Sequence, residues 1–527
     1  MWIHVIVLVF LFCHTKAETE ELLQQTCSWQ EESQNDDHPY LHRQGLRPMT
    51  YDVGDGPQTF WAYVEPDVTS FYNKPGTTTT KPPASTKVVP IYDGFAAKFI
   101  NMSNQRLVLY WESYEGGPIS ALKRCAPFGT GGTASFPTHR FFFVLDDSTI
   151  DPKNPQHRIK EFVMQGYPEN LYIYDPYVVP GDPAATERNL RQALDEDERA
   201  KYDTWKKTLL FHEQYRNFTG RSYLANFLRN RPTHFMWPAD YFGQEHWVLT
   251  RETHFEQIPP EEELEPILAK GQDRILKESD PRILSDYRQK DSTGSATRDV
   301  MNMTLKVLSC APRVFEIPNF LSPAEVEHIL ELAGGISLSR SSVGESSLTG
   351  LKEETDRLKT RTSFNSWVPR ERSPIIDAIY RRSADLVRID EALLRSRSDS
   401  EHPDLPTKRS IAETLQLVHY GVGQEYTAHH DFGHTPVDSY HQEARFLTLL
   451  FYLNEGMEGG ETSFPRWANA ETFHSLKVTP ETGKAVLFYS QLPDGNLDDF
   501  SQHAAEPVLE GEKWLINLWI WDPLYEY

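Results

Sequence analysis

Between Tyr420 and Phe432 the chain reads YGVGQEYTAHHDF, two adjacent histidines with an aspartate directly after them. The apolar and aromatic runs on either side, ETLQLVHY before and RFLTLLFYL after, mark a β-rich region. Side chains alternate faces along a strand with a period of two. His429 and Asp431 therefore share a face, and His430 points the other way. If a metal binds here, its ligands are His429 and Asp431. An isolated H-x-D is a common accident, and what gives this one weight is His503, in FSQHAAEPVLEGEKWLINLWIWD. Two imidazoles and one carboxylate occupy one face of an iron(II) ion and leave three positions open, the arrangement that oxygen chemistry requires. No cysteine stands nearby in the sequence to recruit zinc or a cluster instead.

Lys513 opens the last of these segments. KWLINLWIWD reads as a strand on which Lys513, Leu515, Asn517 and Trp519 share one face. If that face is inward, the buried ammonium requires an anionic partner, because an uncompensated charge is costly. The alternative is a surface lysine at a turn, which GEK also fits. Other elements have to hold these residues in place. APRVFEIPNFLSPAEVEHILELA predicts a strand and then a helix capped by Ser322, with Pro323 first and Glu325 three residues after the cap. SPIIDAIYRRSADLV predicts a second amphipathic helix after a polar loop, GISLSRSSVGESSLTGLKEETDRLKT; strands follow to the end of the chain.

At 527 residues the chain exceeds a single core, and its net charge of −23 argues against nucleic acid as a partner. Residues 1–17 read as a cleaved signal peptide, the apolar run being shorter than the ~20 residues of a spanning helix. An uncleaved anchor is the alternative, and the one route to membrane association. Cys13 lies in that leader, so Cys27, Cys125 and Cys310 allow at most one internal bridge. Sequons at Asn101, Asn217 and Asn302 fit a glycoprotein of the endoplasmic reticulum lumen or later secretory pathway. Residues 18–87 read as a polar linker ending in a Thr/Pro tract, 88–180 as a small β-sandwich of short strands, and 181–304 as a mostly helical segment without a chemical motif. Residues 305–527 carry the chemistry.

Those last residues, from about 306 to 522, resemble the catalytic domain of the prolyl 4-hydroxylases of collagen and plant or algal cell-wall type. The resemblance rests on Tyr420, Gly423, Tyr426, His429 and Asp431, on RTS at Arg361, on RFLTLLFYLNEGMEGGETSFP and GKAVLFYSQLPDG, and on His503 and GEKW. It departs locally at His430, where the family usually has an aromatic residue. The resemblance implies an α+β multidomain protein whose C-terminal part is a double-stranded β-helix (jelly roll) flanked by helices. It implies Fe(II) on His429, Asp431 and His503, and 2-oxoglutarate held by Lys513, Tyr420 and Thr462 beside Trp519. Tyr426 and Arg445 would meet a proline-rich or collagen-like polypeptide, and ascorbate would keep the iron reduced. The reaction would hydroxylate peptidyl proline with O2 and 2-oxoglutarate, releasing succinate and CO2. Two other readings stand beside it: a non-catalytic hydroxyproline-binding or matrix-interaction protein, and the same chemistry on another residue such as lysine. Residues 88–178 resemble the β domain of the von Hippel-Lindau tumour suppressor. That likeness implies hydroxyproline binding by Ser135 and His139, with Phe141 where that family has tryptophan.

Overall fold

The computed structural model describes residues 39–65, 92–112, 119–226, 228, 234–258, 300–341, 361–397, 407, 409–432, 444–467 and 475–522. The leader, the Thr/Pro tract and most of the polar loop before Arg361 lie outside them. The C-terminal half is built on an antiparallel nine-stranded sheet. Its order is Glu245–Thr250, Met301–Cys310, Arg313–Ile317, Ala485–Tyr489, Arg445–Tyr452, Lys513–Trp521, Leu415–Tyr420, Phe364–Val368 and Ser339–Arg340. A separate four-stranded sheet, Tyr426–His429, His503–Ala505, Thr462–Phe464 and Leu476–Val478, shares an apolar cluster with it that includes Val418, Tyr452, Phe464 and Phe488.

The expected jelly roll is corrected by this topology: strand order is linear in every sheet, and none closes on itself into a barrel. The large sheet ends in two added edges, one from residues 245–250 and one a two-residue strand. The strands of the small sheet are three or four residues long and pair with one another, with one bridge outside, Tyr426 to Arg361.

The other face of the large sheet packs on two helices, Pro323–Gly334 and Pro374–Val387. The first carries the expected cap: Ser322 Oγ accepts from the Glu325 N–H at 3.2 Å, and the Glu325 carboxylate accepts from the Ser322 N–H at 2.9 Å. The same carboxylate meets Arg382 of the second helix at 2.6 and 2.9 Å, with both side chains fully buried. One glutamate thus caps one helix and pins it to the other.

The N-terminal half contains the expected sandwich. A three-stranded sheet (Thr130–Ser135, Phe95–Asn101, Leu171–Tyr174) packs on a four-stranded one (Ile119–Cys125, Leu107–Glu112, Arg140–Leu145, Lys160–Val163) around Phe99, Leu109 and Phe143. Two expectations need correction. Within the supposed linker, Leu46–Tyr51 and Gln58–Tyr63 form a hairpin whose Met49, Tyr51 and Ala62 pack against helix residues Phe211 and Tyr215. In the segment expected to be mostly helical, the described residues hold the helices Pro183–Ala193 and Glu196–Thr219 but also a strand, Glu245–Thr250, and residues 259–299 lie outside the described residues. The second helix stops because Gly220 takes φ 77°, a left-handed cap, and the next described strand is the sheet edge Glu245–Thr250. Cys125 and Cys310 are buried free thiols. Among the described residues no helix is long and apolar enough to cross a membrane.

The two halves meet over one loop. Every residue from 490 to 503 is buried, although the stretch includes Asp494, Asn496, Asp498 and Asp499. Buried polar groups need partners, and the N-terminal half supplies them. Asp494 accepts from the Tyr63 N–H and the Tyr215 hydroxyl, both at 2.7 Å. Asn496 accepts from the Leu224 N–H at 2.7 Å, and Arg221 donates to Asp498 at 3.3 Å.

Candidate metal centre

The small sheet brings the two distant histidines together. His429 and His503 sit opposite each other on paired strands, ring centroids 4.4 Å apart. Asp431 follows just past the strand end, its Oδ1 3.7 Å from His429 Nε2 and its Oδ2 3.5 Å from His503 Nε2. One ligand atom from each lies within 4.8 Å of the others. Both Nδ1 atoms face backbone carbonyls, of Thr427 at 2.9 Å and Ser501 at 3.0 Å. A carbonyl only accepts, so Nδ1 carries the hydrogen and Nε2 keeps its lone pair.

The carboxylate is oriented in the same way. Its Oδ2 accepts from Thr448 Oγ1 at 2.8 Å and Trp519 Nε1 at 2.9 Å, and those two residues face each other across neighbouring strands of the large sheet. Burial holds both histidines below their ordinary pKa, His429 well below with the neighbouring His503 adding to it. Burial alone would raise Asp431, but His503, His429 and Arg445, with the Trp519 N–H, hold it well below the usual carboxylate range. Two neutral imidazoles and an ionised carboxylate are the donor set that a divalent iron ion takes, so the residues fit the metal.

Lys513 is fully buried, and its Nζ has no hydrogen-bond partner among the described residues. It opens the strand Lys513–Trp521 of the large sheet opposite Tyr420, with Nζ 5.4 Å from the Tyr420 ring centroid and 5.6 Å from that of Tyr452. Thr462 lies beside them, its Oγ1 accepting from the Tyr452 hydroxyl at 2.7 Å. Gly460, at φ +72°, packs where an added Cβ would lie 3.4 Å from Lys513 Cδ. Burial pushes the Lys513 ammonium down to about 7. A buried ammonium with no hydrogen-bond partner among the described residues fits the far carboxylate of a dicarboxylic acid.

Tyr426 stacks on His429 at 3.5 Å and 18°, and the Arg361 guanidinium lies 4.6 Å from the tyrosine ring centroid. Arg445 is fixed by Glu413 at 2.6 and 3.0 Å and lies 4.0 Å over the Trp519 ring. Trp519 therefore orients Asp431 as well as lining the site. His430 turns away, its Nε2 3.0 Å from the Asp499 carbonyl oxygen. Sequence reasoning missed Thr448 and Tyr452. Both share the parity of inward-facing Leu450 in RFLTLLFYL, a signal that was present.

The sandwich candidates divide. Ser135 Oγ lies 3.3 Å from His139 Nδ1, and Trp111 and Phe136 flank the imidazole at 5.8 and 5.6 Å. Phe141 is buried in the sandwich core against Phe99, its ring centroid 6.5 Å from that of His139. Among the sequons, Asn217 and Asn302 are exposed. Asn101 is fully buried, its amide donating to the carbonyls of Gln105 at 2.8 Å and Ala126 at 3.0 Å, so the folded chain has no room for a glycan there.

Comparison with known proteins agrees with the geometry. Residues 415–521 match the model of the 2OG-Fe(II) oxygenase superfamily. The chain is 33% identical over 258 residues to probable prolyl 4-hydroxylase 3 of Arabidopsis thaliana, covering 46% of this chain and 81% of that protein. It is 33% identical over 216 residues to prolyl 4-hydroxylase subunit alpha-1 of Gallus gallus, covering 40% of this chain and 36% of that one. A solved viral collagen prolyl hydroxylase from Paramecium Bursaria Chlorella virus-1 aligns at 25% identity, covering 40% of this chain and 95% of its own, with a TM-score of 0.28. The protein is an Fe(II)/2-oxoglutarate-dependent dioxygenase. It belongs to the prolyl 4-hydroxylase family.

Proposed function

We propose that this enzyme hydroxylates peptidyl proline in a proline-rich or collagen-like polypeptide within the secretory pathway, with ascorbate keeping its iron reduced. The observation that carries the reading is the combination of three converging ligand atoms with a buried ammonium, Lys513, that has no hydrogen-bond partner among the described residues. Family membership supports proline as the substrate residue; the leader-like start and the exposed sequons support the compartment. In this reading His429, Asp431 and His503 hold Fe(II), which when bound supplies the oxygen-activating and C–H-oxidising chemistry that side chains lack.

The chain's own residues do the rest. Lys513 neutralises the distal carboxylate of 2-oxoglutarate, and Tyr420 and Thr462 offer it hydroxyls. Thr448 and Trp519 keep one Asp431 oxygen occupied, so the other is presented to the metal. Tyr426 covers one face of the His429 ring, excluding water from that side. Tyr426 and Arg445 border the peptide. On the sandwich, the Ser135–His139 pair with its flanking aromatics supports retention of the hydroxylated product, raising its local concentration.

The test is O2-dependent succinate formation with proline-rich, collagen-like and lysine-containing peptides, the added oxygen being located by mass spectrometry. Oxygen on a prolyl ring is expected. Oxygen on lysine would transfer the chemistry to another residue, and absence of 2-oxoglutarate turnover with iron would leave the non-catalytic reading. Retention is tested on the full chain, where Ser135→Ala is expected to abolish any preference for hydroxylated over unhydroxylated peptide.

A further inference from the structure

Asp499 receives hydrogen bonds from both halves of the protein. On the catalytic side, His430 Nε2 lies 3.0 Å from its carbonyl oxygen and 3.3 Å from its Oδ1, and Arg466 Nη1 lies 2.5 Å from its Oδ2. On the sandwich side, the Ala96 N–H donates to Oδ1 at 2.6 Å and Asn170 Nδ2 donates to Oδ2 at 3.0 Å. Asn170 also donates to the Ala96 carbonyl at 2.8 Å, so the two sandwich donors form one unit. His430 stands between His429 and Asp431. Asp499 itself opens the 3-10 turn Asp499–Ser501, whose Ser501 carbonyl fixes His503 Nδ1 at 3.0 Å.

One carboxylate therefore borders both arms of the metal centre. If Asp499 shifts, His430 draws the His429–Asp431 strand end one way, and the Ser501 carbonyl swings the His503 ring. We propose that Asp499 is a positioning residue for the metal centre and that the edge of the sandwich, through Ala96 and Asn170, holds it in place. The sandwich then acts as a structural part of the iron site. Small displacements matter because metal affinity depends on ligand geometry, and loss of an orienting partner costs about 10- to 100-fold. The inference rests on the assignment of iron to His429, Asp431 and His503.

The test measures cobalt(II) as a spectroscopic stand-in for iron, titrated into the metal-free full-length protein with 2-oxoglutarate present. Asp499→Asn removes the charge shared by Arg466 and His430 while keeping the side chain's size. Asn170→Ala changes a sandwich residue alone, removing its bond to Asp499 Oδ2, and serves if Asp499→Asn fails to fold. Both are compared at a temperature where circular dichroism finds them as folded as wild type. The expected result is cobalt(II) binding about tenfold weaker for Asp499→Asn, a shift in the same direction for Asn170→Ala, and an altered visible spectrum in each. A purely structural role would lower the melting temperature and leave the spectrum of the folded protein unchanged, which would overturn the proposal. Wild-type protein that binds no cobalt(II) would instead overturn the metal assignment beneath it.

Discussion

Replacing Lys513 with methionine tests the co-substrate site through two effects of opposite sign. The side chain is fully buried, and its Nζ has no hydrogen-bond partner among the described residues. In the protein without co-substrate that ammonium is a liability, and a buried unsatisfied polar group costs about 1–3 kcal/mol. Methionine has a similar reach and no charge, so the metal-free Lys513→Met protein should be more stable than wild type by about that amount. Co-substrate binding should move the other way. Removing one partner of a buried charge pair costs about 2–5 kcal/mol, which at 1.4 kcal/mol per decade raises the 2-oxoglutarate dissociation constant roughly 30-fold to a few thousandfold. The pH dependence follows from the depressed pKa. Burial has pushed Lys513 down to about 7, below the unfolded value of ~10.4. The penalty is thus fully present below pH 7 and is relieved as pH rises from about 7 to about 10.4, so wild type gains stability across that window relative to the variant. Over the same range wild-type affinity for 2-oxoglutarate should fall about tenfold per pH unit, because the ammonium must be reprotonated to bind. Urea unfolding of the metal-free proteins and calorimetric titration of 2-oxoglutarate measure the two effects. A variant that binds 2-oxoglutarate as tightly as wild type would refute the assignment of Lys513.

His503→Ala should abolish metal-dependent 2-oxoglutarate consumption at every co-substrate concentration, whereas Lys513→Met should recover in part when 2-oxoglutarate is raised; succinate assays over a concentration series separate the two. Trp519→Phe deletes the 2.9 Å bond to Asp431 Oδ2 and should weaken metal binding about 10- to 100-fold with little change in fold, as read by cobalt(II) titration. Arg382→Met strands the buried Glu325 carboxylate and should cost about 3–5 kcal/mol in urea unfolding while leaving the metal ligands untouched.

Strand parity carried the sequence reading furthest where the backbone is regular. It placed His429 and Asp431 together and His430 apart, and it set Lys513 and Trp519 on one face, which the burial of Lys513 and the Trp519 bond to Asp431 show to be inward. It failed where regularity breaks. Tyr426 and His429 are three residues apart and should face opposite ways, yet a register shift between them stacks the two rings. The hairpin at 46–63 escaped notice because its apolar residues lie against partners some 150 residues away, contacts no local pattern encodes. The polar side chains of 490–503 gave no hint of burial, since their partners come from the other half of the chain. The expected barrel likewise depended on sheet closure, a property of the whole topology that no single strand signals.

The outermost strand of the nine-stranded sheet has a practical bearing on how this enzyme can be divided. Glu245–Thr250 pairs residue for residue with Met301–Lys306, so the large sheet that holds Lys513 and Trp519 begins well before residue 305. An expression fragment started at that point would bare the backbone of a strand bearing Leu305 and Val307, an edge apt to join its own copies. A recombinant catalytic unit that stays monomeric has to include the strand at 245, along with the stretch that links the two.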